Sequence, residues 1–169
     1  MAAILFWSCV ALVFYAYVAY PCALMILAAA RPRSVQKAAR FDAATVSFII
    51  TAYNEAPRIR EKIENTLAQD YRPEALEIIV ASDCSTDGTD DIVREYAGRV
   101  RLVRAAERRG KEAAQQLAIA VARGEIFVFS DVATAIRTDA VSHIVRNFAD
   151  PTVACVCGQL SYRTDRQGA

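Results

Sequence analysis

No charged residue occurs between Ala2 and Ala30 of this 169-residue chain. The stretch reads AAILFWSCVALVFYAYVAYPCALMILAAA. That absence excludes an ordinary solvated helix. A bilayer core takes about 20 apolar residues as helix, so residues 3–30 are expected to form a transmembrane helix. Pro21 is expected to kink it, which such helices tolerate. Trp7, Tyr15, Tyr17 and Tyr20 suit an interface or a packed neighbour helix. A cleaved secretory signal fits less well. No basic residue precedes the run, and the run is longer than the roughly 7–15 residues of a signal core.

Other absences narrow the chemistry. There is one histidine, His143, so no histidine cluster can hold a metal; a place on a helix surface is expected for it. The five cysteines contain no C-x-x-C pair, against both a disulfide framework and a zinc site. Buried thiols in a reducing compartment are expected. G-x-G-x-x-G and G-x-x-x-x-G-K-[ST] are missing, which argues against a dinucleotide-binding Rossmann domain and a P-loop. G-x-S-x-G is missing too, so no nucleophile elbow is present. No internal repeat or low-complexity tract occurs.

Charge of one sign is lacking in a second place. Arg31, Arg33, Lys37 and Arg40 follow the apolar run with no acid among them. Residues 31–45 read as a basic linker, and its cations place that side of the membrane in the cytoplasm. Of 20 Lys and Arg, removing those four leaves 16 cations after residue 40, against 19 acids. A net charge of about −3 there excludes nucleic acid as a partner on charge.

From residue 46 onward, apolar runs alternate with helical patterns. VSFIIT (46–51), LEIIVAS (76–82), VRLVRA (100–105), IFVFSD (126–131) and TVACVCG (152–158) are predicted as five strands. Between them, 57–69, 86–98, 110–124 and 138–151 show helical spacing, with Pro57 suited to a first turn and Gly98 and Gly124 to helix ends. Strand–helix alternation with continuously apolar strands predicts an α/β domain on a mainly parallel sheet.

Ligands of open α/β sheets bind beyond the carboxyl ends of the strands. The first strand is followed there by Thr51, Tyr53, Asn54 and Glu55. Ser82, Asp83, Ser85, Thr86 and Asp87 follow the second, Arg108, Arg109 and Lys111 lie between the third strand and its helix, and Ser130, Asp131 and Thr134 follow the fourth. An aromatic can stack on a base, a carboxylate can accept from a base N–H or a ribose hydroxyl, and a lysine can meet phosphate. An Asp can ligate a hard cation through oxygen. Thr86 and Asp87 are expected as helix caps. Asp83 and Asp131 end buried runs and need partners there. Lys111 opens a helix, where a cation opposes the helix dipole, so an anion is expected beside it.

VSFIITAYNEAPRIREKIENTLAQDY, EIIVASDCSTDGTDDIV, RRGKEAAQQLAIAVARGEIFVFSDVAT and FADPTVACVCGQL together resemble the family 2 glycosyltransferases in order and spacing, over about 45–160. Membrane-embedded synthases of β-linked polysaccharides are the nearest in look. The resemblance implies a Rossmann-like GT-A fold that binds a nucleotide-sugar, usually a UDP-sugar, with residues 46–165 as its donor-binding part. Thr51 and Tyr53 would then line the uracil pocket, with Glu55 near the ribose. Asp83 would hold the base, and Lys111 would lie near base or phosphates. Asp131 would be the first acid of a D-x-D motif, touching ribose and a divalent metal, Mn or Mg. Ala133 occupies the motif's third position, and a methyl group cannot ligate a metal. Gln116 stands where many relatives carry Asn.

The family transfers sugar with inversion. A base activates the acceptor and the metal steadies the leaving diphosphate. The family's catalytic Asp and Q-x-x-R-W motif have no counterpart in these residues, so no catalytic residue is assigned. Two readings follow. One is the amino-terminal, truncated donor half of a membrane-bound glycosyltransferase acting on a glycan or lipid acceptor, completed by a carboxy-terminal half or partner subunit. The other is a catalytically inactive, membrane-anchored nucleotide-sugar-binding module.

Overall fold

The protein is seen in a computed structural model that describes residues 1–32, 34–38 and 44–159. Arg33 and Arg40 of the basic linker, and residues 160–165 of the expected domain, lie outside the described residues. Met1–Val35 and the chain from Gln36 onward form two separate units.

The first unit is one helical run, Ala2–Ala30, long and apolar enough to cross a membrane. It comprises α1 (Ala2–Phe14), a π-helical turn (Tyr15–Ala19) and α2 (Tyr20–Ala30). The π-turn explains how Pro21 is accommodated. Proline lacks an N–H, and its ring clashes with the carbonyl four residues earlier. A widened turn just ahead of it, with the Tyr20 N–H bonded to the Tyr15 carbonyl, moves that carbonyl out of register.

The second unit is a four-stranded, wholly parallel sheet in the order β3-β2-β1-β4. The strands are β1 (Val46–Ala52), β2 (Leu76–Ser82), β3 (Val100–Arg104) and β4 (Ile126–Asp131). Helices α3 (Ala56–Leu67), α4 (Thr89–Arg94), α5 (Lys111–Ile119) and α6 (Ala140–Val145) connect or follow them. Alternate residues of each strand feed opposite faces. Phe48, Ile50 and Val80 pack with Ile59 and Ile63 of α3, Val93 of α4, and Val141 and Val145 of α6. On the other face Ile49, Ile79 and Ala81 meet only Ala114 and Ala118 of α5 among fully buried residues. Small side chains there let α5 lie close to the sheet.

The chain winds from β1 outward to β2 and β3, then returns through α5 to place β4 on the far side of β1. The direction of winding therefore reverses between β1 and β4. That is the topological switch point, where ligands of such sheets bind.

The strands at 46, 76, 100 and 126 stand where the apolar runs predict them. A fifth strand at 152–158 does not form. TVACVCG is rich in strand formers, but that preference is realised only against cross-strand neighbours. Here the Asp150 carboxylate accepts from the backbone and hydroxyl of Thr152, bending the chain into a turn, and no ladder follows. The expectation of buried thiols fails as well. Cys155 and Cys157 of the second unit are exposed and Cys84 is half-buried, while Cys9 and Cys22 lie on the apolar helix. His143 is exposed on α6, as expected.

The amino-terminal rim of the sheet is closed by a polar clamp. Glu77 Oε1 accepts from Ser47 Oγ and from the backbone of Arg123 and Gly124. Burial pushes the Glu77 carboxyl up, but these donors and the Arg123 charge outweigh it and hold it below its ordinary range. Gly124 N donates to Ser47 Oγ at 2.7 Å. A Cβ on Gly124 would lie 2.6 Å from the Val46 carbonyl carbon and closer still to Ser47 N. Gly124→Ala is therefore expected to lower stability by about 1–3 kcal/mol, read by chemical denaturation, because backbone must move to admit the methyl.

Candidate functional site

The carboxyl rim is assembled from three loops that hold one another. The first follows β1. Asn54 adopts a left-handed conformation, φ +51°, which asparagine tolerates better than most residues. It is stitched to the loop after β2: its N–H donates to Ser85 Oγ at 3.1 Å, and its Oδ1 accepts from Thr86 N at 2.8 Å. Glu55 N donates to Thr89 Oγ1 at 2.9 Å. Asp87 spans the same seam, accepting from Ala56 N at 3.0 Å and from Thr89 N at 3.0 Å. The Thr89 hydroxyl, with these amides, holds its carboxyl below the usual carboxylate range. Asp87 thus ties the start of α3 to the start of α4 rather than capping one helix alone.

The second loop carries Asp83. Its side chain is 5% exposed. Oδ1 accepts from Arg109 N at 3.0 Å, and both oxygens accept from Gly110 N at 3.2 and 3.0 Å. The partner that Asp83 requires as a buried acid is therefore the backbone of the third loop, 105–110. Gly110, at φ +91°, supplies the left-handed corner that turns this loop into α5. Next to Asp83, Cys84 is also left-handed at φ +60°. Arg104 secures that strained turn by donating to the Ser85 carbonyl at 2.9 Å and pairing with Asp90.

The third loop delivers cations. The Arg108 guanidinium stacks on the Tyr53 ring, 3.9 Å from its centroid, with its Nε 4.0 Å from Asp83. Such a contact stabilises by about 0.5–1 kcal/mol at an exposed site. Lys111 Nζ lies 2.5 Å from Asp131 Oδ1, both side chains more than half exposed. The anion expected beside Lys111 is thus present as a side chain of the protein. Thr51 and Asp131 are partners in register across the β1/β4 switch. Thr51 Oγ1 is out of reach of solvent and makes no hydrogen bond among the described residues.

Of the residues singled out in the sequence, Tyr53, Asp83, Lys111 and Asp131 form one contiguous rim. Arg108 touches both Tyr53 and Asp83, and Gly110–Lys111 leads from Asp83 to Asp131. Thr51 adjoins Asp131, and Glu55 sits at the head of α3. A groove of about 740 Å³ lies elsewhere, lined by Leu67, Leu76, Ile78 and Val100 at the opposite rim. It brings together none of these groups.

Among the described residues the side chains alone do not complete a divalent-cation site. No three His, Cys, Asp or Glu side chains converge among the described residues. Asp131 stands alone, already paired with Lys111, and Ala133 offers no ligand.

One residue at the rim escapes a reading by periodicity. Lys62 of α3 is 2% exposed, on the same helical stripe as Ile59, Ile63 and Thr66. Its Nζ donates to Ser130 Oγ at 2.7 Å and to the Thr134 carbonyl at 2.6 Å. The detectable signal is a lysine in phase with an apolar stripe.

The family described as Glycosyl transferase family 2 matches residues 47–168. The succinoglycan biosynthesis protein ExoO of Rhizobium meliloti is 34% identical over 59% of this chain and 28% of its own length. A poly-β-1,6-N-acetyl-D-glucosamine synthase of Staphylococcus aureus is 30% identical over 67% of this chain and 28% of its own. Among solved structures, a mannosyltransferase from Pyrobaculum calidifontis in complex with GDP-Man and Mn2+ superposes with a TM-score of 0.69. It is 35% identical and covers 82% of this chain and 43% of its own. TarS of S. aureus in complex with UDP-GlcNAc has a TM-score of 0.54 at 27% identity, over 59% of this chain and 29% of its own. The chain thus spans less than a third of the length of these two curated relatives.

Burial holds the Lys62 ammonium down to about 8 from 10.5, with Asp131 partly offsetting it. Below pH 8 both folded and unfolded chains carry the proton and the burial penalty is fully present. Between about 8 and 10.5 the unfolded chain binds the proton and the folded one does not, so stability rises with pH. Wild type is therefore expected to gain on Lys62→Met across that window, by at most about 3 kcal/mol. Denaturant midpoints of the two proteins at pH 7, 9 and 10.5 check this.

Proposed function

This chain belongs to glycosyl transferase family 2, and on that premise we propose that its carboxyl rim binds the nucleotide of a nucleotide-sugar donor, UDP-sugar first among them. The observation that carries the reading is the joining of Tyr53, Asp83, Lys111 and Asp131 at the β1/β4 switch point. Solved neighbours hold UDP-GlcNAc and GDP-Man.

In this reading the roles divide by chemistry. Thr51 and Tyr53 line the base pocket; the buried, unpartnered Thr51 Oγ1 has hydrogen-bonding capacity to spare. Glu55 lies toward the ribose. Asp83 accepts from the base with the lone pairs that its two amide partners leave over, while holding the loop that delivers the cations. Lys111, released from Asp131, meets the diphosphate, with Arg108 and Arg109 close by in sequence. Asp131 is then free to accept from the ribose. Arg108 must leave the Tyr53 face for a base to stack there, an exchange of one flat cation for one flat ring.

The whole protein is read as a membrane-bound, inverting transferase in polysaccharide biosynthesis, with a glycan or lipid acceptor. Residues 3–30 form its span, 31–45 its basic linker, and 46–165 its donor-binding part. The run of linker cations in the sequence supports an orientation with the α/β domain in the cytoplasm. A second reading, an inactive nucleotide-sugar-binding module, is favoured by one observation: Ala133 removes a ligand position of D-x-D.

Calorimetric titration of the full chain in detergent with UDP, GDP and uridine, with and without Mn2+, tests the site. UDP is expected to bind, with manganese making no difference, since the cations are supplied by side chains. Asp83→Ala is expected to abolish detectable UDP binding. Lys111→Ala is expected to weaken UDP about tenfold and leave uridine unchanged, the loss of one charged contact to phosphate. Failure of every nucleotide to bind, with or without manganese, overturns both readings.

A further inference from the structure

Lys62 lies where an apolar side chain would serve the core. It shares a helical face with Ile59 and Ile63, which are wholly buried. Taking an ammonium out of water is unfavourable unless its donors are met, and well-packed apolar replacements of buried charges are often neutral or stabilising. Its presence is thus unexplained by packing.

The two bonds it makes are specific. Ser130 is the penultimate residue of β4, and Thr134 closes the turn that follows. They bracket Asp131, Val132 and Ala133, so one ammonium holds both ends of the turn that presents Asp131. The turn's own backbone bond, Thr134 N to the Asp131 carbonyl, is 3.2 Å. Val132 points inward, 7% exposed, and packs in the same core as Phe48. The Phe48 ring, 5.5 Å from Nζ, lines the remaining side of the ammonium. Of the groups around Lys62, those from β1, β4 and the turn are a ring, a hydroxyl and a carbonyl. The charge acting on it is Asp131. Lys111 lies against Asp131 in turn.

We propose that Lys62 is a positioning residue for Asp131, pinning the Ser130–Thr134 turn from the core side and so fixing where the Asp131 carboxylate meets the donor. The proposal rests on the reading above that Asp131 faces a nucleotide. No other residue of α3 among those described bonds to this turn at both ends.

Two measurements on the full chain in detergent test it. The first needs no ligand. In Lys62→Met, hydrogen exchange of the Thr134 amide is expected to quicken about tenfold, while Val128 in the middle of β4 is unchanged. Ser130→Ala removes one of the two bonds without filling the core, and is expected to shift Thr134 in the same direction by less. The second is a double-mutant cycle read by UDP titration. Lys62→Met and Asp131→Asn are each expected to weaken UDP about tenfold. Combining them is expected to add little, because one acts through the other. Lys62→Met combined with Lys111→Ala is expected to be closer to additive. Unchanged Thr134 exchange in both variants overturns the proposal, whatever the nucleotide does. So does a full further tenfold loss when Lys62→Met is added to Asp131→Asn. A wild-type chain that binds no UDP overturns the donor reading instead, and the Thr134 amide still decides the case for Lys62.

Discussion

The carboxylate of Asp83 is the constraint on which the rim depends. Its two oxygens take the backbone N–H groups of Arg109 and Gly110, so the end of β2 is fastened to the entrance of α5. Everything cationic at the site hangs from that fastening. Arg108 reaches Tyr53 because the residue after it is held, and Lys111 reaches Asp131 because the residue before it is held. An acid buried at the end of an apolar strand is unfavourable without donors. Here backbone amides supply them, so the group that orders the loop is the same one that the donor reading asks to meet a base. The two duties are compatible, since an ionised carboxylate has about four acceptor sites.

Much of this architecture is legible in the sequence, for a definite reason. Strands buried on both faces must be largely apolar, so β1 and β2 announce themselves as nearly uninterrupted runs; β4 is just as apolar although its Phe127 and Phe129 are exposed, and the polar ends of all three mark one rim. The fifth run, TVACVCG, has the same composition and no strand, because composition records what a residue tolerates and not whether a neighbour is there to pair with. Pairings across the rim are equally invisible. The Lys111–Asp131 pair joins residues 20 apart in sequence, and Arg108 on Tyr53 joins residues 55 apart. Both depend on the return of the chain from β3 to the far side of β1, a property of topology and not of local pattern. Lys62 is hidden differently: a helix reading counts lysine as polar and expects it outside.

The electrostatic pattern has its own logic. The rim sets acids at strand ends and cations in the loop before α5, each acid already answered by a donor of the protein. A site so paired is stable without ligand, and a ligand must exchange partners rather than simply fill space. Such exchange favours an anion with hydrogen-bonding groups of its own, able to take Lys111 from Asp131 and return a hydroxyl donor to it. A diphosphate joined to a ribose has both. A single carboxylate beside an ammonium, with Ala133 as neighbour, is by contrast a poor place for a hard cation, which wants several oxygens and no competing charge.

Strain and order are divided between the two rims. At the amino-terminal rim, Ser47, Glu77 and Gly124 are packed so closely that no added methyl fits, and that end of the sheet is locked. At the carboxyl rim, Asn54, Cys84 and Gly110 all take left-handed conformations, two of them without the freedom of glycine. Non-glycine residues held there lie about 1–3 kcal/mol above relaxed backbone and persist only where surrounding bonds over-determine them. Asn54 is over-determined by Ser85 and Thr86, and Cys84 by Asp83 and Arg104 on either side of it. The strained turns therefore serve to bring backbone amides and side chains to a common point. The rigid rim opposite supplies the fixed frame against which they are held.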